Sequence, residues 1–189
     1  MSSHYGGKNL GYILVDGSGG VFRGAVLVTD FRGIPADFRY TDPIKPSRIE
    51  KILYGGALDV YLKEELILEN IVGAVEVQPT LWICRDADLL ESLSRTARAK
   101  AVLLAPTSRA PMDAVGDTEK QNDPGSYLVQ ADPMSAPLRI SLPLSRSKEE
   151  EAKAVASILV EAASTMDLLE PFSRMSKALA ALGEEQSGD

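Results

Sequence analysis

The stretch TDPIKPSRIE, residues 41–50, constrains the path of this chain more than any other. Pro43 and Pro46 cannot donate to a strand ladder, and each biases the residue before it away from helical backbone, so a strand arriving here must stop. Directly behind them Ser47 and Glu50 have the S-x-x-E spacing of a capping box, in which each side chain satisfies an orphan backbone N–H at a helix start. The chain is therefore expected to turn from sheet to helix near residue 46.

Upstream of this corner, GYILVDG and VFRGAVLVTD read as two apolar strands, and ADFRYT alternates apolar and polar side chains as a strand with one buried face. The DGSGG stretch between the first two is a hairpin turn. A phosphate loop would need a helix immediately after the glycines, and a β-type segment follows instead. Three strands with tight connections make an antiparallel meander.

Downstream, Gly55 and Gly56 each cost about 1 kcal/mol relative to Ala inside a helix, which splits the helical region into 47–54 and 57–73. The second piece is apolar around most of its circumference, so it lies between two layers or against a partner. TLWIC is a buried strand, DADLLESLSRTARAK a helix with Asp88 and Glu91 in cap spacing, and AVLLA another buried strand. Strand, helix and strand at that spacing imply a right-handed parallel crossover. Residues 106–126 read as a long loop, SYLVQA and PLRISLPL as short strands, and S-K-E-E at Ser147–Glu150 as a second capping box opening a helix. A further helix starts near Pro171. The expected class is α/β, leaning to α+β: a mixed sheet with a three-stranded antiparallel start, then helix, strand, helix, strand, and C-terminal helices. Residues 11–182 form a single domain between tails at 1–10 and 183–189.

No run of eighteen apolar residues occurs, and there is no basic segment followed by an apolar one at the N-terminus, so a cytoplasmic protein with no membrane span is expected. With one cysteine, Cys84 inside LWIC, and one histidine, His4, structural zinc and His-dependent triads are excluded. The net charge is −7, and residues 101–189 carry 8 basic against 14 acidic groups. That balance disfavours nucleic acid, whose binding is driven by phosphate neutralisation. The only basic concentration is Arg23, Arg32, Arg39, Lys45, Arg48 and Lys51.

The element order over residues 11–105 resembles the ribonuclease H-like fold, which also begins with three antiparallel strands and continues helix, strand, helix, strand. The resemblance implies a magnesium-dependent nuclease or phosphoryl-transfer enzyme, with carboxylates on the first strand, the first helix and just after the fourth strand clamping two metal ions. Asp16, Glu50 and Asp86 or Asp88 fill those positions, and Glu149, Glu150 and Glu151 offer a further acid from a late helix. Each of the first set also has a structural reading: Asp16 as a turn residue, Glu50 as the partner of Ser47, Asp88 as a helix cap.

The favoured reading is a binding or regulatory protein that acts through protein–protein contact, with a protein partner or a second copy of itself and no cofactor. The stiff corner TDPIKPSR loses little conformational entropy on docking, and Arg39, Tyr40, Lys45, Arg48 and Tyr54 are residue types enriched where binding energy concentrates.

Overall fold

The structure, a computed structural model, describes residues 7–187. Part of the expected N-terminal tail, including His4, and the last two residues of the expected C-terminal tail lie outside the described residues. The order is β1 (Asn9–Asp16), β2 (Arg23–Asp30), β3 (Pro35–Tyr40), α1 (Arg48–Tyr54), α2 (Leu58–Val60), a π-helical segment Tyr61–Leu68, α3 (Glu69–Gly73), β4 (Leu81–Cys84), α4 (Ala87–Ala97), β5 (Ala101–Ala105), β6 (Thr118–Lys120), β7 (Ser126–Val129), β8 (Leu138–Ser141), α5 (Glu149–Ala163) and α6 (Glu170–Ser187). All eight strands join one mixed sheet in the order β3-β2-β1-β4-β5-β8-β7-β6, in which β1, β4 and β5 are parallel. The fold class, with its antiparallel start and C-terminal helices, is as expected.

The sheet is buried on both faces because its central strands carry apolar side chains at successive positions, and successive side chains point to opposite sides. Leu10, Tyr12, Leu81, Ile83, Val102 and Leu104 face one way and pack with Val155, Leu159, Phe172 and Met175 of α5 and α6. Ile13, Val26, Val28, Trp82 and Cys84 face the other way, against Leu62, Ile67, Ile71, Leu90 and Leu93 of the central helices. The apolar circumference of residues 58–73 thus has a plain cause: one side lies on the sheet and another meets α4, where Glu64 takes a hydrogen bond from Ser92 and stands 3.6 Å from Arg95.

The corner forms as expected. Ser47 Oγ accepts from the Glu50 N–H at 3.3 Å, and the Ser47 N–H donates to Glu50 Oε2 at 2.7 Å. Gly55, at φ +51°, ends α1 in a conformation that L side chains rarely adopt, and the chain resumes as α2. Ile44 of the corner exchanges backbone hydrogen bonds with Phe22 at 2.7 and 2.8 Å, which fastens the corner beside the start of β2.

Three local expectations are corrected. The loop at 106–126 contains an edge strand, β6, paired with β7. Ser147 does not cap α5: its hydroxyl donates to the Leu144 carbonyl at 3.0 Å, and Lys148 occupies the N-cap with no side-chain hydrogen bond. Asp88 does not cap α4 either, because the Asp88 N–H donates to Asp86 Oδ1 at 3.0 Å, making Asp86 the cap. In both cases turn geometry outside the helix decides which of several polar residues meets the free N–H groups.

Replacing Ser47 by Ala removes one side of the capping box and is expected to cost about 1 kcal/mol. For a domain of this size that lowers the thermal midpoint by about 3 °C in calorimetry, with the far-ultraviolet spectrum unchanged.

Candidate functional site

At the β1/β4 pair the chain's connections diverge: β1 leads outward to β2 and β3 on one side, and β4 leads to β5 on the other. In open α/β sheets such a switch leaves a crevice beyond the carboxyl ends of the strands, where ligands bind. Asp16 stands at the carboxyl end of β1, and Arg85 and Asp86 follow β4.

Asp16 is held in place by its turn. Ser18 donates to Asp16 Oδ1 from its hydroxyl and, at 3.0 Å, from its N–H; Arg23, paired with Asp16 across the hairpin, brings its Nε to 4.0 Å of Oδ2. The Ser18 hydroxyl does most to hold the Asp16 carboxyl below its ordinary range; partial burial opposes this, and the Ser18 N–H and the charges of Arg23 and Lys63 add to it. Arg23 also donates to the Leu179 carbonyl of α6 at 3.2 Å. Between them lies a cleft of about 260 Å³ lined by Leu14, Asp16, Arg23, Ser176, Leu179 and Ala180.

The residues after β4 split between the two faces of the sheet. The β1/β4 register pairs Tyr12 with Ile83. Arg85 lies in the bend just beyond β4, and its side chain reaches α6, on the side of the sheet that Ile83 also faces. Its guanidinium carbon lies 5.4 Å from the centre of the Phe172 ring of α6, which in turn meets Tyr12 edge-on at 5.3 Å. Asp86, one residue further on, serves α4 on the other face as its N-cap. Cys84 is buried, its thiol bonded to the Asp86 carbonyl at 3.6 Å, and burial first, then the Asp86 charge, pushes it up to about 12.

These placements decide the metal reading. Glu50 lies on α1, none of whose residues is buried, with its carboxylate spent on the Ser47 N–H. Asp88 sits exposed in the first turn of α4. Glu149 pairs with Lys153 at 2.8 Å, and Glu151 with Lys100 at 3.0 Å, beside the amino end of β5 and so at the opposite edge of the parallel strands from Asp16. Among the described residues no group of three or more Asp, Glu, His or Cys side chains comes together that could hold a metal ion. Asp16 and Asp86 reach neighbouring strand ends, but Glu50 does not join them, and a two-magnesium clamp does not fit the side chains present.

Of the expected contact residues, Arg39 is committed to Asp37 at 2.8 Å and Glu76 at 3.1 Å. Tyr40 lies 5.7 Å from Phe38, and Tyr54 stacks on Tyr61 at 4.6 Å. Lys45 and Arg48 are exposed on the corner. Through the Ile44–Phe22 bridge that corner lies at the same end of the sheet as Arg23 and Asp16. Arg85 is the residue that sequence reasoning passed over. Its signal was present in the alternation of LWICR, where Arg85 shares a face with Leu81 and Ile83 and Asp86 does not.

A larger cleft of about 610 Å³ lies where β5, β7 and β8 meet the α5–α6 connection. Its two carboxylates are engaged in local turns: Asp132 accepts from the Met134 N–H at 2.8 Å and from Ser135, and Asp167 from the Leu169 N–H at 2.8 Å.

No family model matches the chain, and no curated protein sequence matches it. Solved structures do. Human ENDOV superposes with a TM-score of 0.53 at 12% identity, over 80% of this chain and 75% of that one. Endonuclease V of Ciona intestinalis, in complex with a 23mer DNA containing an inosine followed by a ribo-adenosine, gives a TM-score of 0.50 at 14% identity, over 79% of this chain and 76% of that one. At these identities the likeness is one of fold. It corrects the expectation of a regulatory protein acting by protein contact, with nucleic acid disfavoured: the fold is shared with endonuclease V structures, one of which holds DNA. Net charge sums over the whole surface and says nothing of a local arrangement. No helix among the described residues is long and apolar enough to cross a membrane.

Two outcomes follow from the site's electrostatics. The buried, neutral Cys84 thiol stays unmodified by thiol reagents at about pH 8 until denaturant is added, as mass spectrometry reads directly. The depressed Asp16 pKa contributes stability above its ordinary value of 3.8 that is lost as the pH falls through the lower folded value, so Asp16→Asn flattens the acid limb of a stability–pH profile.

Proposed function

We propose that this chain binds nucleic acid at the carboxyl edge of β1 and β4, using an endonuclease V-like scaffold. The supporting observation is the set of cations at this edge from separate parts of the chain: Arg23 at the start of β2, Lys45 and Arg48 on the corner, and Arg85 after β4, with Lys63 close enough to act on Asp16. Phosphate neutralisation by such groups supplies sequence-independent affinity. The DNA held by the Ciona neighbour motivates the choice of probe.

Magnesium-dependent cleavage is the second reading, favoured by Asp16 and Asp86 at neighbouring strand ends. Two carboxylates fall short of the oxygen ligands that a pair of metal ions requires, so binding is placed first.

The test is fluorescence anisotropy with a labelled DNA duplex, with and without inosine, across a salt series. Affinity is expected to fall linearly with the logarithm of salt concentration, and Lys45→Glu with Arg48→Glu is expected to weaken binding uniformly across sequences and reduce the slope by about 1 to 2. Absence of binding at low salt overturns the proposal. Cleavage that requires magnesium and is lost in both Asp16→Asn and Asp86→Asn would move the second reading ahead.

A further inference from the structure

We infer that Arg85 and Arg23 take the phosphate-holding part that metal ions take in two-metal nucleases, so that this chain engages nucleic acid without divalent metal and without cutting it. The inference rests on the nucleic-acid reading above and goes beyond it in naming the groups and the metal independence.

The decisive feature is which face of the sheet each side chain occupies. Tyr12, Leu14 and Asp16 alternate onto one face of β1, Leu81 and Ile83 onto the matching face across the parallel pairing, and Arg85, in the bend after β4, reaches the same side through its contact with Phe172. Contacts with α6 agree: Asp16 and Arg23 share a cleft with Ser176 and Leu179, and Arg85 lies over Phe172. A carboxylate at the end of β4 on that side would be the strand neighbour best placed to share a cation with Asp16. The residue there is an arginine. The nearest acid in sequence, Asp86, is turned to the other face by its bond to the Asp88 N–H, where the helix start has a use for it.

The cation so placed is organised. Phe172, Ser176 and Leu179 are spaced four and three residues apart and share one face of α6. Arg85 sits over the first and Arg23 bonds the carbonyl of the last, seven residues on, or about 10 Å along the helix axis. The π-face contact steadies the Arg85 guanidinium while leaving the side chain exposed, and its planar fork suits the paired oxygens of a phosphate. Asp16, the carboxylate at the end of β1, is already compensated by Ser18 and Arg23 and adds little repulsion to an incoming anion. With Arg23 offset by Asp16, the charge of Arg85 at this strand end disfavours a divalent cation for the same reason that it favours phosphate.

The experiment measures binding of the full chain to labelled single-stranded and duplex DNA in EDTA and in magnesium or manganese, with the product run on a denaturing gel. The expected result is equal affinity in all three media within about twofold and an intact probe. Arg85→Ala is expected to weaken binding about tenfold or more, the loss of a charge-assisted contact, and Arg85→Lys to recover part of it by restoring charge without the fork. Thermal melting of each variant checks that the fold survives. Arg85→Asp, which places an acid beside Asp16, is expected to lose the metal-free binding and to gain a thermal shift with manganese that the parent lacks. Binding that needs a divalent ion, or cleavage by the parent chain that Asp16→Asn abolishes, overturns this inference and leaves the nucleic-acid reading standing. Metal-free binding that Arg85→Ala leaves unchanged overturns the role given to Arg85. Absence of binding in every medium overturns both.

Discussion

The parallel pairing of β1 with β4 is the contact on which the molecule is organised. It joins an antiparallel hairpin sheet to a parallel crossover and sets every neighbouring strand in register. It also brings two strand ends together at one edge. Because side chains alternate along a strand, this register decides which residues after β4 share a face with Asp16. A slip of one residue would exchange the places of Arg85 and Asp86 relative to the α6 side. The core excludes such a slip: it would bring Trp82 and Cys84 round to α6 and turn Leu81 and Ile83 toward the central helices, misplacing side chains that are all essentially without solvent contact.

The corner at residues 43–47 makes the same edge wide. By stopping β3 and starting α1 within a few residues, it leaves Lys45 and Arg48 exposed beside the start of β2, and the Ile44–Phe22 bridge holds them there. The rigid corner and the Asp16 edge, which in sequence look like two separate candidate sites, are parts of one surface. Helix α1 lays none of its side chains into the core, so the capping box and the bridge, rather than packing, keep it oriented.

What was legible in the sequence follows from local physics. Prolines, the S-x-x-E spacing at Ser47 and the alternation of ADFRYT name their elements without reference to distant residues, and the expected order of three antiparallel strands, helix, strand, helix, strand recurs in the structure. The α4 and α5 caps were less legible: Asp86 and Asp88, or Ser147 and Lys148, are adjacent polar residues, and only the turn that precedes the helix selects between them. The expected carboxylate set was assembled from positions along the chain, and position along the chain carries no information about face across a parallel pairing 70 residues apart.

The sequence by itself determined the order of strands and helices outside the short edge strand β6, the break at Gly55 and the burial of the central strands, because each depends on the chemistry of neighbouring residues. Only the tertiary structure decided that Glu50 stays away from Asp16, that Asp86 turns to α4, and that Arg85 comes round to α6 and Phe172. Those outcomes depend on strand register and helix docking, which are settled by the packing of side chains far apart in the chain.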